Sequence, residues 1–326
     1  MKRVLSGIQP TGRAHLGNYV GAIQNWIKLQ HEHECFFFIA DYHALTTVYE
    51  NTQNIAEDSF QLAVDLLAAG LDPSKCTLFL QSHVPEHTEL HLIFSMFTPL
   101  GWLERVPSYK DKLEQMQGTD LHTYGFLGYP VLQAADILLY KADYVPVGKD
   151  QLPHLELTRE IGRRFNHLYK GKFPEPDALL TQAPFLPGTD GRKMSKSYNN
   201  TLPLSDAIEV NHKAVLKMTT DPARIKRTDP GDPSKCPVYT YHQIFSTPET
   251  QMSVAEGCRS AGIGCVDCKK QLLLHMDAHF AGYRARREEL LGQKQQVLSI
   301  LENGAKQARA VAQATMLEVK SAVKLI

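Results

Sequence analysis

The chain has 326 residues, 43% hydrophobic and 21% charged, and its 35 basic and 35 acidic side chains cancel to a formal charge of zero. This is ordinary globular composition, long enough for two domains; it excludes a generic polyanion binder, so any nucleic acid contact requires a local basic patch. Met1-Lys2-Arg3-Val4-Leu5-Ser6-Gly7 is too short in apolar residues for a signal peptide and no run approaches a membrane span, so a cytoplasmic protein with reduced thiols is expected.

In chain order, Arg3-Val4-Leu5 reads as a strand that breaks into the turn Gly7-Ile8-Gln9-Pro10-Thr11-Gly12. Apolar spacing through Val20, Ile23, Trp26, Ile27 and Leu29 predicts a helix. Residues 35–40 form an apolar run without alternation, the pattern of a strand buried on both faces. Residues 55–69 are an amphipathic helix stopped by Gly70 and Pro73, 77–80 a second buried strand, and 90–103 helical. Strand and helix alternating in this way predict an α/β, Rossmann-type doubly wound parallel sheet, whose ligands bind at the C-terminal ends of the strands. Strand signals stop near Leu204, and 207–218, 271–291, 295–301 and 305–324 read as helices. The expected division is a catalytic domain over 1–204 and a helical domain over 205–326.

Three segments carry chemistry. His15-Leu16-Gly17-Asn18 lies between the first strand and the first helix, where Gly12 and Gly17 admit a nucleotide close to the backbone and the helix N-terminus offers N–H groups to phosphate. Lys193-Met194-Ser195-Lys196-Ser197 supplies two lysines at i and i+3 and two hydroxyls in a Gly-flanked loop, a donor set suited to a triphosphate. Taken alone, the first reads more simply as an ordinary loop; the two segments together, in this fold context, point to an ATP site. Lys193 and Lys196, with Mg²⁺, are expected to stabilise the departing pyrophosphate, with Lys110 and Lys112 as further candidates. In the third segment Pro130 is expected in the first turn of a helix, so that Tyr129, Gln133 and Asp136 share one face. A carboxylate in so apolar a helix is costly unless it meets a donor.

Cys236, Cys258, Cys265 and Cys268 are spaced C-x21-C-x6-C-x2-C, which in a reducing compartment suggests a metal site; Zn²⁺ and a [4Fe–4S] cluster both suit four thiolates. Cys35 and Cys76 belong to buried strands and read as packed small hydrophobes. From Lys269 to the end, ten basic residues face five acids, which is either a solvated helix face or an RNA-binding patch.

His15-Leu16-Gly17-Asn18 resembles the HIGH signature, and 193–197 the KMSKS signature, of class I aminoacyl-tRNA synthetases. Ser6-Gly7-Ile8-Gln9-Pro10-Thr11-Gly12, Tyr129-Pro130-Val131-Leu132-Gln133-Ala134-Ala135-Asp136-Ile137-Leu138-Leu139-Tyr140 and Val145-Pro146-Val147-Gly148-Lys149-Asp150-Gln151 are similar to segments of tryptophanyl-tRNA synthetases. The resemblance covers nearly the whole chain. It implies activation of L-tryptophan with ATP, release of pyrophosphate and transfer to tRNA(Trp), and a homodimer. It gives Asp136 as acceptor of the indole N–H, with Gly7, Tyr129, Gln133, Gln151 and His43 around the amino acid. For ATP it gives Gln9, Pro10, Thr11, Gly17, Asn18, Gly148, Lys149, Asp150 and Leu186 with Lys193, Met194, Ser195, Lys196 and Ser197; His15 and Gln9 join the two lysines as catalytic candidates. Asp150 is also expected as N-cap of the helix that follows it. The cysteine segment is similar to a bacterial subset that holds a [4Fe–4S] cluster, favoured here over zinc, with Lys269 and Lys270 offsetting its charge. Tyrosine activation, a non-aminoacylating RNA- or protein-binding paralogue, and a nucleotidylyltransferase are the competing expectations; Gln133 is what keeps tyrosine open.

Overall fold

A computed structural model describes residues 1–106, 120–180 and 186–325, with the Ser197 side chain also outside the description; Lys110 and Lys112 fall outside the described residues. Five parallel strands, β1 (Arg3–Ile8), β2 (Glu34–Ile39), β3 (Cys76–Leu80), β4 (Tyr144–Val147) and β5 (Asp177–Leu180), are ordered β3-β2-β1-β4-β5. The doubly wound sheet expected from the sequence is therefore present. Register pairs Leu5 with Phe36 and Gly7 with Phe38 across β1 and β2, and Phe38 with Phe79 across β2 and β3.

Both faces of the sheet are buried, which is why β2 shows no alternation. Val4, Phe37, Ile39 and Leu78 point into one core with Trp26, Phe60 and Leu66. Leu5, Phe36, Phe38 and Phe79 point into the other with Leu139, Leu155 and Phe165. The Ile55–Ala69 helix carries Glu57 and Asp58 in its first turn and ends at Gly70, whose φ of 119° only glycine adopts readily.

Several elements differ from the expected ones. The first helix is Leu16–Asn18 and Gln24–Leu29 joined by a π-helical stretch, Tyr19–Ile23. The helix holding Asp136 spans Tyr124–Leu139, so Pro130 lies inside it rather than in its first turn; the start is set by Thr123, whose hydroxyl accepts the Phe126 N–H. Asp150 is not an N-cap, because Lys149–Gln151 forms a 3₁₀ turn and Gln151 precedes the Leu152–Tyr169 helix. The helix expected over 271–291 begins earlier and spans Cys265–Gly292.

The two helices expected at the C-terminus are one, Lys294–Ala322. Asn303-Gly304 reads as a break in sequence, yet the glycine answers a steric demand: a Cβ at Gly304 would lie 1.9 Å from the Leu78 carbonyl oxygen. This helix crosses the β3 edge there, contributing Val297 and Leu301 to one core and Ala308 and Met316 to the other. It thereby covers an edge that would otherwise offer unpaired strand groups.

Gly304→Ala tests this crossing. Helix propensity alone would gain up to about 1 kcal/mol. The backbone clash should outweigh it and lower stability by roughly 1–3 kcal/mol, read as a lower thermal midpoint.

Candidate functional site

In an open parallel sheet the crevice lies where neighbouring strands lead off in opposite directions, here between β1 and β4. A cavity of about 450 Å³ opens at that point, lined by Ser6 and Gly7 from β1 and by Val147 and Gly148 at the end of β4. Among the residues singled out from sequence, Gly7, Gln9, His43, Tyr129, Gln133, Asp136, Gly148 and Gln151 line it. Gly7 is required by close approach, since a Cβ there would stand 2.5 Å from the Phe38 ring.

Asp136 is 1% exposed and receives three donors. Gln81 Nε2 donates to Oδ1 at 2.8 Å, His87 Nδ1 meets Oδ1 at 2.6 Å, and His43 Nε2 meets Oδ2 at 2.7 Å. Burial alone would raise the carboxyl, but the charges and hydrogen bonds of His43 and His87 prevail and hold it below the usual carboxylate range. Asp136 is thus an ionised acceptor in an apolar wall. Behind it, His87 Nε2 meets the Tyr140 hydroxyl at 2.9 Å, and both residues are fully buried. Beside it, the Tyr129 hydroxyl meets His154 Nε2 at 3.3 Å.

Gln81, His87, Tyr140 and His154 were not singled out from sequence. The signal available was weak: His87 and His91 lie one turn apart on the Glu86–Ser95 helix, an ordinary helical pattern until the partner carboxylate is known.

The remaining nucleotide candidates, Pro10, Thr11, Gly17, Asn18, Lys149, Asp150, Leu186 and 193–196, stand outside the cavity lining. Most lie on two loops that touch. Lys196 Nζ donates to the Thr11 carbonyl at 2.7 Å, and the Gly17 N–H points to the Met194 sulfur at 3.2 Å. Their positions are fixed from behind: His15 pairs with Pro203, and Asn200 accepts the Ser195 N–H at 2.8 Å while donating to the Lys193 carbonyl at 3.0 Å. Leu186 and Met194 belong to the hydrophobic core. A Cβ on Gly148 would strike the Asp150 carboxylate at 2.5 Å.

His15 caps the first helix reciprocally with Asn18: its Nδ1 accepts the Asn18 N–H at 3.3 Å, and Asn18 Oδ1 accepts the His15 N–H at 3.1 Å. Burial, with the Lys196 charge beside it, pushes the ring down to about 4, so it is neutral at pH 7. With Nδ1 accepting, the proton resides on Nε2, which leaves that edge as a donor.

In the C-terminal half, Lys269 is buried and donates to the Leu216 and Met218 carbonyls at 2.9 and 2.6 Å, so it does not face RNA, while its ammonium lies within electrostatic reach of Cys265, Cys236 and Cys268. Much of the basic stretch is likewise spent internally: Arg287 on Asp65, Arg309 on Glu86, Lys320 on Glu89 and Arg284 on Asp277. Among the described residues no group of three or more His, Cys, Asp or Glu side chains is placed to hold a metal ion, so neither the cluster nor the zinc expected of the four cysteines is shown. No described helix is long and apolar enough to cross a membrane.

The comparisons with known proteins agree with this geometry. The family profile described as "tRNA synthetases class I (W and Y)" matches residues 1–281. The chain is 51% identical to the tryptophan–tRNA ligase of Thermotoga maritima, with 99% of each chain covered. It is 44% identical to that of Aquifex aeolicus, covering 99% of this chain and 100% of the relative. Among solved structures, the Campylobacter jejuni tryptophanyl-tRNA synthetase, complexed with ADP and tryptophan, superposes with a TM-score of 0.90 at 36% identity over 99% of each chain. The Archaeoglobus fulgidus tyrosyl-tRNA synthetase, at 22% identity and a TM-score of 0.68, shares the fold alone. The chain belongs to the class I tRNA synthetases, and its activity is that of a tryptophan–tRNA ligase.

Proposed function

We propose that the β1/β4 cavity is the tryptophan pocket and that the loops at 9–18 and 193–197 clamp the phosphates of ATP. The observation that carries this reading is the Asp136 carboxylate, buried, ionised and part of the cavity wall. It has acceptor capacity beyond its three protein donors, and the indole N–H supplies the fourth. Gly7, Tyr129, Gln133, Gln151 and His43 shape the rest of the pocket. The tryptophan carboxylate is ionised at neutral pH, so it attacks the α-phosphorus without a general base. Positioning and charge stabilisation then do most of the catalysis. Lys193, Lys196 and the Nε2–H of His15 stabilise the departing pyrophosphate, and Mg²⁺ bound with ATP adds to that neutralisation. Gln9, Pro10, Thr11, Gly17, Asn18, Gly148, Lys149, Asp150, Leu186, Met194, Ser195 and Ser197 complete the nucleotide site. The ADP and tryptophan of the Campylobacter jejuni complex support this assignment.

The tRNA(Trp) contact is assigned to 205–326, where Lys226 and Arg227 are exposed beside Cys265. A homodimer is supported by Leu92, Met96 and Leu100, which are 54%, 72% and 63% exposed. The chain is read as cytoplasmic.

A second reading concerns the four cysteines. Burial pushes the Cys268 thiol up to about 12, and Cys236, Cys258 and Cys265 act on it in the same direction, so the four are electrostatic neighbours. Four neighbouring thiols suit a four-thiolate centre of either kind, and the resemblance to the cluster-bearing bacterial subset favours [4Fe–4S] over zinc. Arg224, 8% exposed, brings a guanidinium to 3.8 Å from the Cys258 sulfur, the cation that four thiolates would require.

Three outcomes test these assignments. Asp136→Asn should lower kcat/KM for tryptophan in ATP–pyrophosphate exchange by about 100-fold, equivalent to roughly 2.7 kcal/mol; an unchanged value would overturn the role of Asp136. Between about pH 6.5 and pH 4 the unfolded chain binds a proton at His15 that the folded chain does not, so stability falls as pH falls through that window. The drop in melting temperature from pH 7 to pH 5 should accordingly be smaller in His15→Asn than in the parent. Protein purified without oxygen should be brown with about four iron atoms per chain; one zinc, or no metal, removes the cluster reading.

A further inference from the structure

Two of the three donors that hold Asp136 follow neighbouring strands. The parallel pairing of β2 and β3 runs as far as Ile39 opposite Leu80. His43 comes after β2, on the Asp41–Val48 helix, and Gln81 comes directly after β3, in the 3₁₀ turn Gln81–His83. Both donors therefore lie past the last register pair, where the strand ladder no longer sets the distance between the two connections.

A side chain takes over that task. Asp41 and Ser82 each stand two residues past the last register pair. Asp41 Oδ1 accepts the Ser82 N–H at 3.0 Å, and its Oδ2 accepts the Ser82 hydroxyl. Oδ1 also accepts the Tyr42 N–H at 3.1 Å, which fixes the carboxylate against the start of its own helix. The donors are tied across the same gap, since the His43 N–H points to Gln81 Oε1 at 3.4 Å. That contact decides which end of the Gln81 amide faces Asp136. With Oε1 turned to the His43 backbone, Nε2 donates to Asp136 Oδ1 at 2.8 Å. The reverse orientation would set a carbonyl oxygen against a carboxylate, with no proton between them.

We propose that Asp41 and Ser82 are positioning residues for tryptophan selection: their clasp fixes the spacing of the β2 and β3 connections and, through it, the two donors, His43 and Gln81, that aim the Asp136 carboxylate at the indole N–H. Neither Asp41 nor Ser82 lines the cavity, so their effect on the substrate travels through those donors. A carboxylate that takes both a backbone N–H and a hydroxyl from one residue makes a two-point, charge-assisted contact, which resists sliding and rotation of one connection past the other. A displacement of about 0.5 Å at either donor is enough to degrade a preorganised acceptor. The inference rests on the assignment of Asp136 to the indole.

The test is ATP–pyrophosphate exchange on the full chain, with tryptophan and with 3-(benzothiophen-3-yl)alanine, in which sulfur replaces the indole N–H. The variants are Asp41→Ala, Ser82→Ala and Asp136→Asn, each with thermal melting. Asp41→Ala should raise KM for tryptophan about tenfold and lower the preference for tryptophan over the sulfur analogue by a similar factor, with KM for ATP within about twofold of the parent. Ser82→Ala keeps the backbone N–H bond and loses only the hydroxyl, so the same two quantities should move in the same direction by about fivefold. A fall in melting temperature alone, or equal rises in KM for tryptophan and for ATP, shows an ordinary structural contact and overturns the proposal. Should Asp41→Ala not fold, Ser82→Ala decides alone. Asp136→Asn separates the two readings: if it keeps the parent's preference for tryptophan over the analogue, the assignment of Asp136 to the indole fails. If it loses that preference while Ser82→Ala and Asp41→Ala retain it, only the clasp fails.

Discussion

An ionised carboxylate in an apolar helix is the constraint around which this site is built. Asp136 is 1% exposed on a helix whose neighbouring positions, Ala135 and Ile137, are equally buried. Bare, such a charge would neutralise itself or unfold its surroundings. Three donors from three separate elements prevent that: His43 after β2, Gln81 after β3 and His87 on the helix that follows. Because they come from different connections, the acid acts as a tie that orders the whole C-terminal end of the sheet. On the proposed assignment the same feature favours tryptophan over phenylalanine on electrostatic grounds. A ring without a donor would displace water from the carboxylate and give nothing back, which is a stronger rejection than a shape mismatch.

The sheet dictates where such a tie is useful. In five parallel strands every strand-to-helix connection leaves from the same, C-terminal end, and the change of direction between β1 and β4 leaves a crevice there. Two glycines keep that crevice open for different reasons. Gly7 yields space to the Phe38 ring, and Gly148 yields space to the Asp150 carboxylate. Neither position is explained by turn conformation, since neither has a positive φ. The loops at 9–18 and 193–197 also meet, Lys196 on Thr11 and Met194 on Gly17, although 177 to 185 residues separate them along the chain.

Local patterns were legible where local physics decides. The unalternating β2 run, the Ile55–Ala69 helix with its Gly70 stop, and the shared face of Tyr129, Gln133 and Asp136 could all be read from periodicity and punctuation. What could not be read was set by distant partners. Pro130 looks like a helix start and is not, because Thr123 caps the helix about two turns earlier. Gly304 looks like a break and is not, because the strand edge beneath it tolerates only a bare Cα. Lys269 looks like a surface cation and is buried, because the Ile208–Lys217 helix ends against it with carbonyls to satisfy. His87 and Gln81 carry no motif at all; only the fold brings them to Asp136.

Asp136 and Asp65, each 1% exposed, meet the same desolvation penalty in opposite ways, and the difference is informative. Asp136 has both oxygens engaged and its carboxyl held below the usual range, so its charge is settled before any ligand arrives. Asp65 has one oxygen engaged twice, by Tyr283 and Arg287, and burial leaves its carboxyl raised despite them. A residue serving recognition gains from being preorganised, since a fixed acceptor loses nothing on binding. By that criterion the hydrogen-bond inventory of Asp136 is that of a preorganised acceptor, whereas Asp65 ties the Ile55–Ala69 helix to the Cys265–Gly292 helix from within the core.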